Sequence, residues 1–296
     1  MAGEINKVFI CTNNKQLLGA TLSQYTLERY TKTESFSVEI LNTDKGSEID
    51  RLAGKSYLRG GEVHQFSKTD LQSWTLVRFS PPELMNYQGR AVVIDPDVFS
   101  VAADVSDLFE IDMKGKAILA KPGKKEGLWA SSVMLLDCGK LKHWSLKSIV
   151  DGMLAKVLDY RKLMDLEAET QLVGQLDDEW NRYDCIDDQT KFLHTTDRIT
   201  QPWKTGLPVD FFRNPAKNPG PFFGFIPRQW IRQLLGRPSN SHYREHPDPR
   251  VKEFFFGHLK AAIDTGYITD EVIRNAVEIK AVREDIFEVL DNTSPA

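Results

Sequence analysis

The 296-residue chain has only three cysteines, Cys11, Cys138 and Cys185, an odd number at wide spacing with no C-x-x-C pair. A disulfide framework is thereby excluded and structural zinc is a poor fit, so the pattern is that of a reduced, cytoplasmic protein. No uncharged apolar run approaches the ~20 residues that a membrane-spanning helix needs. Met1 is followed by charged and polar residues rather than an apolar stretch, which predicts no signal peptide. There is no internal repeat. Neither G-x-G-x-x-G nor a P-loop follows any strand-like stretch, which disfavours NAD binding and ordinary nucleotide hydrolysis. The net charge of -4 argues against a dedicated nucleic-acid binder.

The remaining composition, 41% hydrophobic and 27% charged, is that of a globular protein with a sizeable core. Charge is unevenly spread. From Arg198 to Lys260 there are 11 basic against 4 acidic residues, and from Ala261 onward 3 against 8. The middle of the C-terminal third is therefore a basic island.

Lys7 to Thr12 reads as a buried strand ending in the polar turn Asn13-Asn14-Lys15, followed by a helix over Leu17 to Tyr30 and a strand over Phe36 to Leu41. Strand, helix, strand opens an α/β sheet, and the turn after its first strand is where such sheets bind nucleotides. Asp44 to Lys68 reads as loop with short helical pieces. Ala117 to Ala120, Val133 to Leu136 and Lys191 to His194 are further strands, and Ser145 to Arg161 is a helix weakened at Gly152. Val92-Val93-Ile94 is a buried strand that delivers Asp95-Pro96-Asp97. In extended chain, residues two apart point to one side, so the two carboxylates face one point and the proline stiffens them. Such hard oxygen ligands suit Mg²⁺ or Mn²⁺ with coordination left for phosphate. A strand ending in a polar turn is the plainer alternative.

Taken in order, these stretches resemble the family 8 glycosyltransferases, the group containing glycogenin and bacterial lipopolysaccharide galactosyl- and glucosyltransferases. Val8 to Asn14 is similar to the family's first strand and uracil-binding turn. Val77-Arg78-Phe79-Ser80-Pro81-Pro82 resembles its basic residue and proline-led helix, and Asp95-Pro96-Asp97 stands in place of its D-x-D. Trp129 to Leu136 resembles the strand written F-N-[AS]-G-V, and Gln175 to Asn181 the L-P-x-x-W-N turn. His194 to Trp203 resembles H-x-x-G-x-x-K-P-W.

The resemblance implies a GT-A fold, a Rossmann-like mixed α/β sheet flanked by helices with a mostly helical C-terminal extension. It divides the chain into a catalytic domain, 1–206, and a C-terminal segment, 207–296. It implies a retaining, UDP-sugar-dependent hexosyltransferase acting on a hydroxyl of a glycan, lipid or polyol. Mn²⁺ or Mg²⁺ would be held by Asp95, Asp97 and His194. Ile10, Thr12 and Asn13 would contact the nucleoside, with Arg78 and Lys204 on the diphosphate and Arg78 and Asp97 as catalytic residues.

Several positions depart from the pattern. Gln201 replaces the signature lysine and Asp197 its glycine, with one extra residue before Pro202, so the phosphate contact shifts to Lys204 or Arg198. Ala130 stands where the family has a sugar-binding asparagine, and Ser132 replaces a glycine. No D-Q motif precedes Trp180; Glu167 and Glu169 near that place read as a solvated helix face. These losses keep a rival open, a non-catalytic nucleotide-sugar-binding scaffold of a glycan-assembly complex.

Phe211-Phe212-Arg213, Phe222 to Ile226 and Arg228 to Arg237 interleave aromatics with cations. They read either as ordinary packing on the acceptor side or as an interfacial helix on an anionic membrane surface, peripheral at the inner face. Pro249 to Thr265 and Thr269 to Asn292 read as two helices, the second capped by Thr269. Its apolar side suits either the body of the protein or a second subunit in a homodimer.

Overall fold

The computed structural model describes residues 6–32, 36–68, 70, 72–210 and 242–296. The aromatic and basic stretches Phe211 to Arg213, Phe222 to Ile226 and Arg228 to Arg237 lie outside these residues. The strands are β1 (Asn6–Thr12), β2 (Phe36–Asn42), β3 (Ser56–Arg59), β4 (Glu62–Gln65), β5 (Arg90–Ile94), β6 (Val98–Ser100), β7 (Ile118–Pro122), β8 (Trp129–Asp137), β9 (Val173–Gln175), β10 (Arg182–Tyr183) and β11 (Phe192–His194).

The expected α/β class holds. A six-stranded mixed sheet in the order β2-β1-β5-β8-β7-β9 is flanked by helices. β1 runs parallel to both β2 and β5, with Ile10 opposite Ile40 and Ile94, and β8 enters antiparallel beside β5. Both faces of the central strands are covered, which is why they read as unbroken apolar runs. Phe9, Cys11 and Val93 join the core on one face of the sheet. Val8, Ile10, Val92 and Ile94 join the core on the other. Fully burying one such side chain stabilises the fold by about 1.5–3 kcal/mol.

A smaller sheet, β10-β11-β6, sits beside the end of β5. β6 and β11 are antiparallel, with His194 opposite Val98, and the Thr195 N–H donates to the Asp97 carbonyl at 3.1 Å. A third core joins the first helix, α1 (Leu17–Tyr30), to the C-terminal helices. Leu18, Leu22 and Tyr25 pack with Val251, Phe255, Phe256, Leu259, Ile273 and Ile286, and Trp203 stacks on Phe255 at 4.5 Å. The apolar side of the C-terminal helices is thus turned to the body of the protein. Among the described residues no helix is long and apolar enough to cross a membrane.

Four expectations are corrected. Within 44–68 the chain forms the hairpin β3–β4 around the Gly60-Gly61 turn, where both residues have positive φ. The helix expected over Ser145 to Arg161 stops at Leu154, and a second runs Tyr160–Met164. Leu158 folds back onto Gly152, where a Cβ would meet its Cδ1 at 2.7 Å, and the Gly152 carbonyl accepts from the Val157 and Leu158 N–H groups. The last predicted helix is likewise two, Asp270–Glu278 and Ile286–Asp291, separated where Lys280 takes φ 55° so that Ala281 and Val282 can bury. Thr269 precedes the first of them, and its side chain makes no cap hydrogen bond.

Candidate metal centre and adjoining cleft

β5 ends at Ile94, and the next residues turn rather than continue extended: the Val98 N–H donates to the Asp95 carbonyl at 3.3 Å. The expected extended geometry of Asp95-Pro96-Asp97 is therefore replaced by a tight turn joining β5 to β6. Both carboxylates are nonetheless buried and converge. Asp95, Asp97 and His194 each offer a ligand atom, all within 4.8 Å of one another. The β6–β11 pairing is the cause, because it seats His194 against the strand that leaves Asp97.

The imidazole is oriented for a metal. Its Nδ1 lies 2.9 Å from Asn181 Oδ1, and the Asn181 amide donates onward to Ser132 Oγ at 3.2 Å. With the Asn181 amide nitrogen placed towards Ser132, its oxygen is the group facing Nδ1, and the other ring nitrogen, Nε2, is turned to the acids. Nε2 is 3.5 Å from Asp97 Oδ1 and 4.0 Å from Asp95 Oδ2. Burial alone would push the His194 pKa down, but the Asp97 and Asp95 carboxylates outweigh it and hold it above the ordinary histidine value. Burial pushes the Asp95 carboxyl up, and Arg78 and His194 only partly offset this. Two buried acids and an imidazole drawn towards its charged form describe a site that wants a cation. The donor set fits a divalent ion such as Mg²⁺ or Mn²⁺.

Arg78 sits behind this cluster rather than free beside it. Its Nε donates to Asp95 Oδ1 at 2.9 Å and its Nη2 to Oδ2 at 2.5 Å, while Nη1 reaches Ser131 Oγ at 3.0 Å. Each Asp95 oxygen keeps a further lone pair, so the fork positions the carboxylate without blocking it. Gln201, in place of a lysine, donates through Nε2 to Asp97 Oδ2 at 2.9 Å, and its Oε1 is buried with no partner among the described residues.

The other expected positions are spread around the turn after β1. Ile10 is committed to the apolar core. Thr12 and Asn13 are buried, and Asn13 Nδ2 reaches Ser73 Oγ at 3.5 Å. Lys204 is fully buried and donates to Asp210 Oδ2 at 3.3 Å; burial lowers its pKa, with Asp210 opposing. Glu167 pairs with Lys162, whereas Glu169 accepts from the Trp144 indole at 2.9 Å, so it is tied to the body rather than simply solvated.

Beside Arg78 opens a cleft of about 260 Å³, lined among others by Arg59, Ala130, Ser132, Tyr160, Arg161 and Arg198. The sequence gives Asn181, Arg59 and Arg161 no role of their own; Asn181 closes the turn that resembles L-P-x-x-W-N, whereas Arg59 and Arg161 stand in no motif.

No family model and no curated protein matches the chain. Among solved structures it is similar to the galactosyltransferase LgtC in complex with donor and acceptor sugar analogues, at 14% identity and TM-score 0.45, covering 67% of this chain and 89% of that one. It is also similar to the glycosyltransferase GlyE of Streptococcus pneumoniae TIGR4, at 14% identity and TM-score 0.48, covering 83% of this chain and 66% of that one. Mouse xyloside xylosyltransferase 1 aligns at 14% identity and TM-score 0.44, covering 65% of this chain and 97% of that one. Likenesses this distant carry no argument about activity.

Proposed function

We propose that the chain is a metal-dependent glycosyltransferase of GT-A type, moving a hexosyl unit from a UDP-sugar to a hydroxyl of a glycan, lipid or polyol with retention. The observation that carries this reading is the convergence of Asp95, Asp97 and His194, from distant parts of the chain, at the end of β5. The ordered resemblance of the flanking segments to family 8 supports it. A divalent ion on these three side chains would offset the negative charge that develops on a departing diphosphate. Arg78 holds Asp95 in place, Asn181 holds His194, and Gln201 holds Asp97. Arg198 and, once released from Asp210, Lys204 supply positive charge for the diphosphate. Thr12 and Asn13 take the nucleoside at the turn after β1. No covalent nucleophile is assigned, and the leaving phosphate draws the acceptor proton on the same face of the sugar.

Slow hydrolysis of a UDP-sugar with Mn²⁺, lost in Asp97→Ala, is the test. The second reading, a nucleotide-sugar-binding scaffold, is favoured by Ala130 in the cleft and by Gln201 in place of a phosphate-binding lysine. Metal-dependent binding of UDP-sugars without turnover of any donor would select it.

A further inference from the structure

We propose that the cleft beside Arg78 takes a glycosyl group bearing its own negative charge, a carboxylate or a phosphate; placing that group next to a departing diphosphate rests on the transferase reading above. The cleft is lined by Arg59, Arg78, Arg161 and Arg198, from separate segments of the chain, against one acid, Asp165. These cations are not equivalent. Arg78 is committed to Asp95. Arg161 faces Asp165, with Nε 3.5 Å from Oδ2. Arg198, just beyond His194, is the cation assigned to the diphosphate in the transferase reading.

Arg59 is the surplus. It is half-buried, and among the described residues no carboxylate lies within ion-pair distance of it; Asp70 acts on its charge only from further away, and the Tyr57 phenol is a hydrogen-bond partner. Its guanidinium carbon lies 4.8 Å over the Tyr160 ring, and its Nη2 reaches Gln72 Oε1 at 3.5 Å. Tyr160 is itself pinned by Thr75, whose Oγ1 is 2.8 Å from the phenol oxygen. A planar fork held by stacking, with no carboxylate directly bound to it, suits bidentate recognition of a carboxylate or phosphate. Neutral hydroxyls engage such a fork one contact at a time and leave its charge uncompensated. Ala130 and Ser132 are small and line the same cleft, which leaves room for a charged substituent.

Ligand-observed NMR with glucuronate, glucose 6-phosphate and glucose, without nucleotide, tests the arginines directly. The expected result is binding of both anionic sugars over glucose, with roughly tenfold weaker affinity in Arg59→Gln for the loss of one charge-assisted contact. Arg59→Lys, which keeps the charge without the fork, gives an intermediate loss and serves if the glutamine variant does not fold. Glucose binding as well as glucuronate, or a preference that survives both variants, overturns the proposal. UDP-glucuronate binding more tightly than UDP-glucose puts the charge on the donor. Equal donor binding with a retained preference for free glucuronate puts it on the acceptor. Binding of UDP with Mn²⁺ is measured separately on the unaltered protein, and its absence removes the transferase reading while the sugar result stands.

Discussion

Gly19 of α1 lies against Pro96: a Cβ at this position would sit 2.7 Å from the Pro96 carbonyl oxygen. The helix therefore approaches the Asp95-Asp97 turn more closely than any side chain allows, and the obstacle is backbone. In an unobstructed helix, Gly→Ala gains up to about 1 kcal/mol. Here that gain is outweighed, and Gly19→Ala is expected to lose about 1–3 kcal/mol through overpacking. Because the carbonyl that must retreat lies between the two acids, Mn²⁺ affinity should fall as well. Urea midpoints and a Mn²⁺ titration check this. A variant more stable than the parent would show that the turn can withdraw freely.

Asn181 is expected to matter through His194. In Asn181→Ala the Nδ1–H loses its acceptor, so the imidazole is free to change tautomer and to rotate. Loss of such an outer partner costs about 10–100-fold in metal affinity. It also leaves a buried donor unsatisfied, worth about 1–3 kcal/mol of stability. Mn²⁺ binding followed by electron paramagnetic resonance separates the two effects. Unchanged affinity in a folded variant would dismiss the orienting role.

Arg78 and Asp95 form a buried pair, each less than about a tenth exposed. Arg78→Met leaves the carboxylate unpaired in the interior and should cost about 3–5 kcal/mol. Replacing both partners, Arg78→Met with Asp95→Leu, should recover much of that loss, because two matched apolar groups no longer need desolvating. The double variant would still lack metal binding. Thermal unfolding of the four proteins of the cycle measures the coupling; additive losses would place the pair outside the core's electrostatics.

What the sequence made legible follows from how local each feature is. β1, β5 and β11 are short apolar runs closed by turns, and the side-chain alternation that splits Phe9 from Ile10 between two cores is a property of the strand itself. Asp95, Asp97 and His194 are legible by motif, yet their convergence depends on a long-range pairing between β6 and β11 that no local pattern encodes. The β3–β4 hairpin is hard to read because β4 is mostly exposed and β3 buries only Tyr57, so neither strand shows a clean apolar alternation, although Gly60-Gly61 is a hairpin signal in its own right. The break after Leu154 was hidden because Gly152 serves a contact with Leu158, and a glycine acting through packing looks in sequence like one merely tolerated. Arg59 over Tyr160 joins residues about a hundred positions apart, so its role emerges only in three dimensions.

Asp159 connects that arginine's hairpin to the helix beginning at Tyr160. Its carboxylate accepts from the Gly60 and Gly61 N–H groups at 2.9 and 2.7 Å, and from the Arg161 N–H at 2.8 Å. Burial opposes ionisation, but these backbone donors, with a further one from Lys162, outweigh it and hold the pKa below the ordinary aspartate value. The folded state therefore releases this proton more readily than the unfolded chain. The stabilisation is complete above the unfolded-state pKa and is lost as pH falls through the lower, folded-state value. Asp159→Ala should cost about 1–2 kcal/mol at neutral pH, the usual worth of a helix cap combined with a turn clamp. The difference between parent and variant should shrink only in the acid range, below the ordinary aspartate pKa. Asp159→Asn keeps one acceptor oxygen and should lose less at neutral pH. Denaturant unfolding of the three proteins from neutral to acid pH checks the sign. A deficit in Asp159→Ala that grew on acidification would mean that the carboxyl is protonated in the native protein and that the hairpin, with Arg59 at its edge, is held by something else.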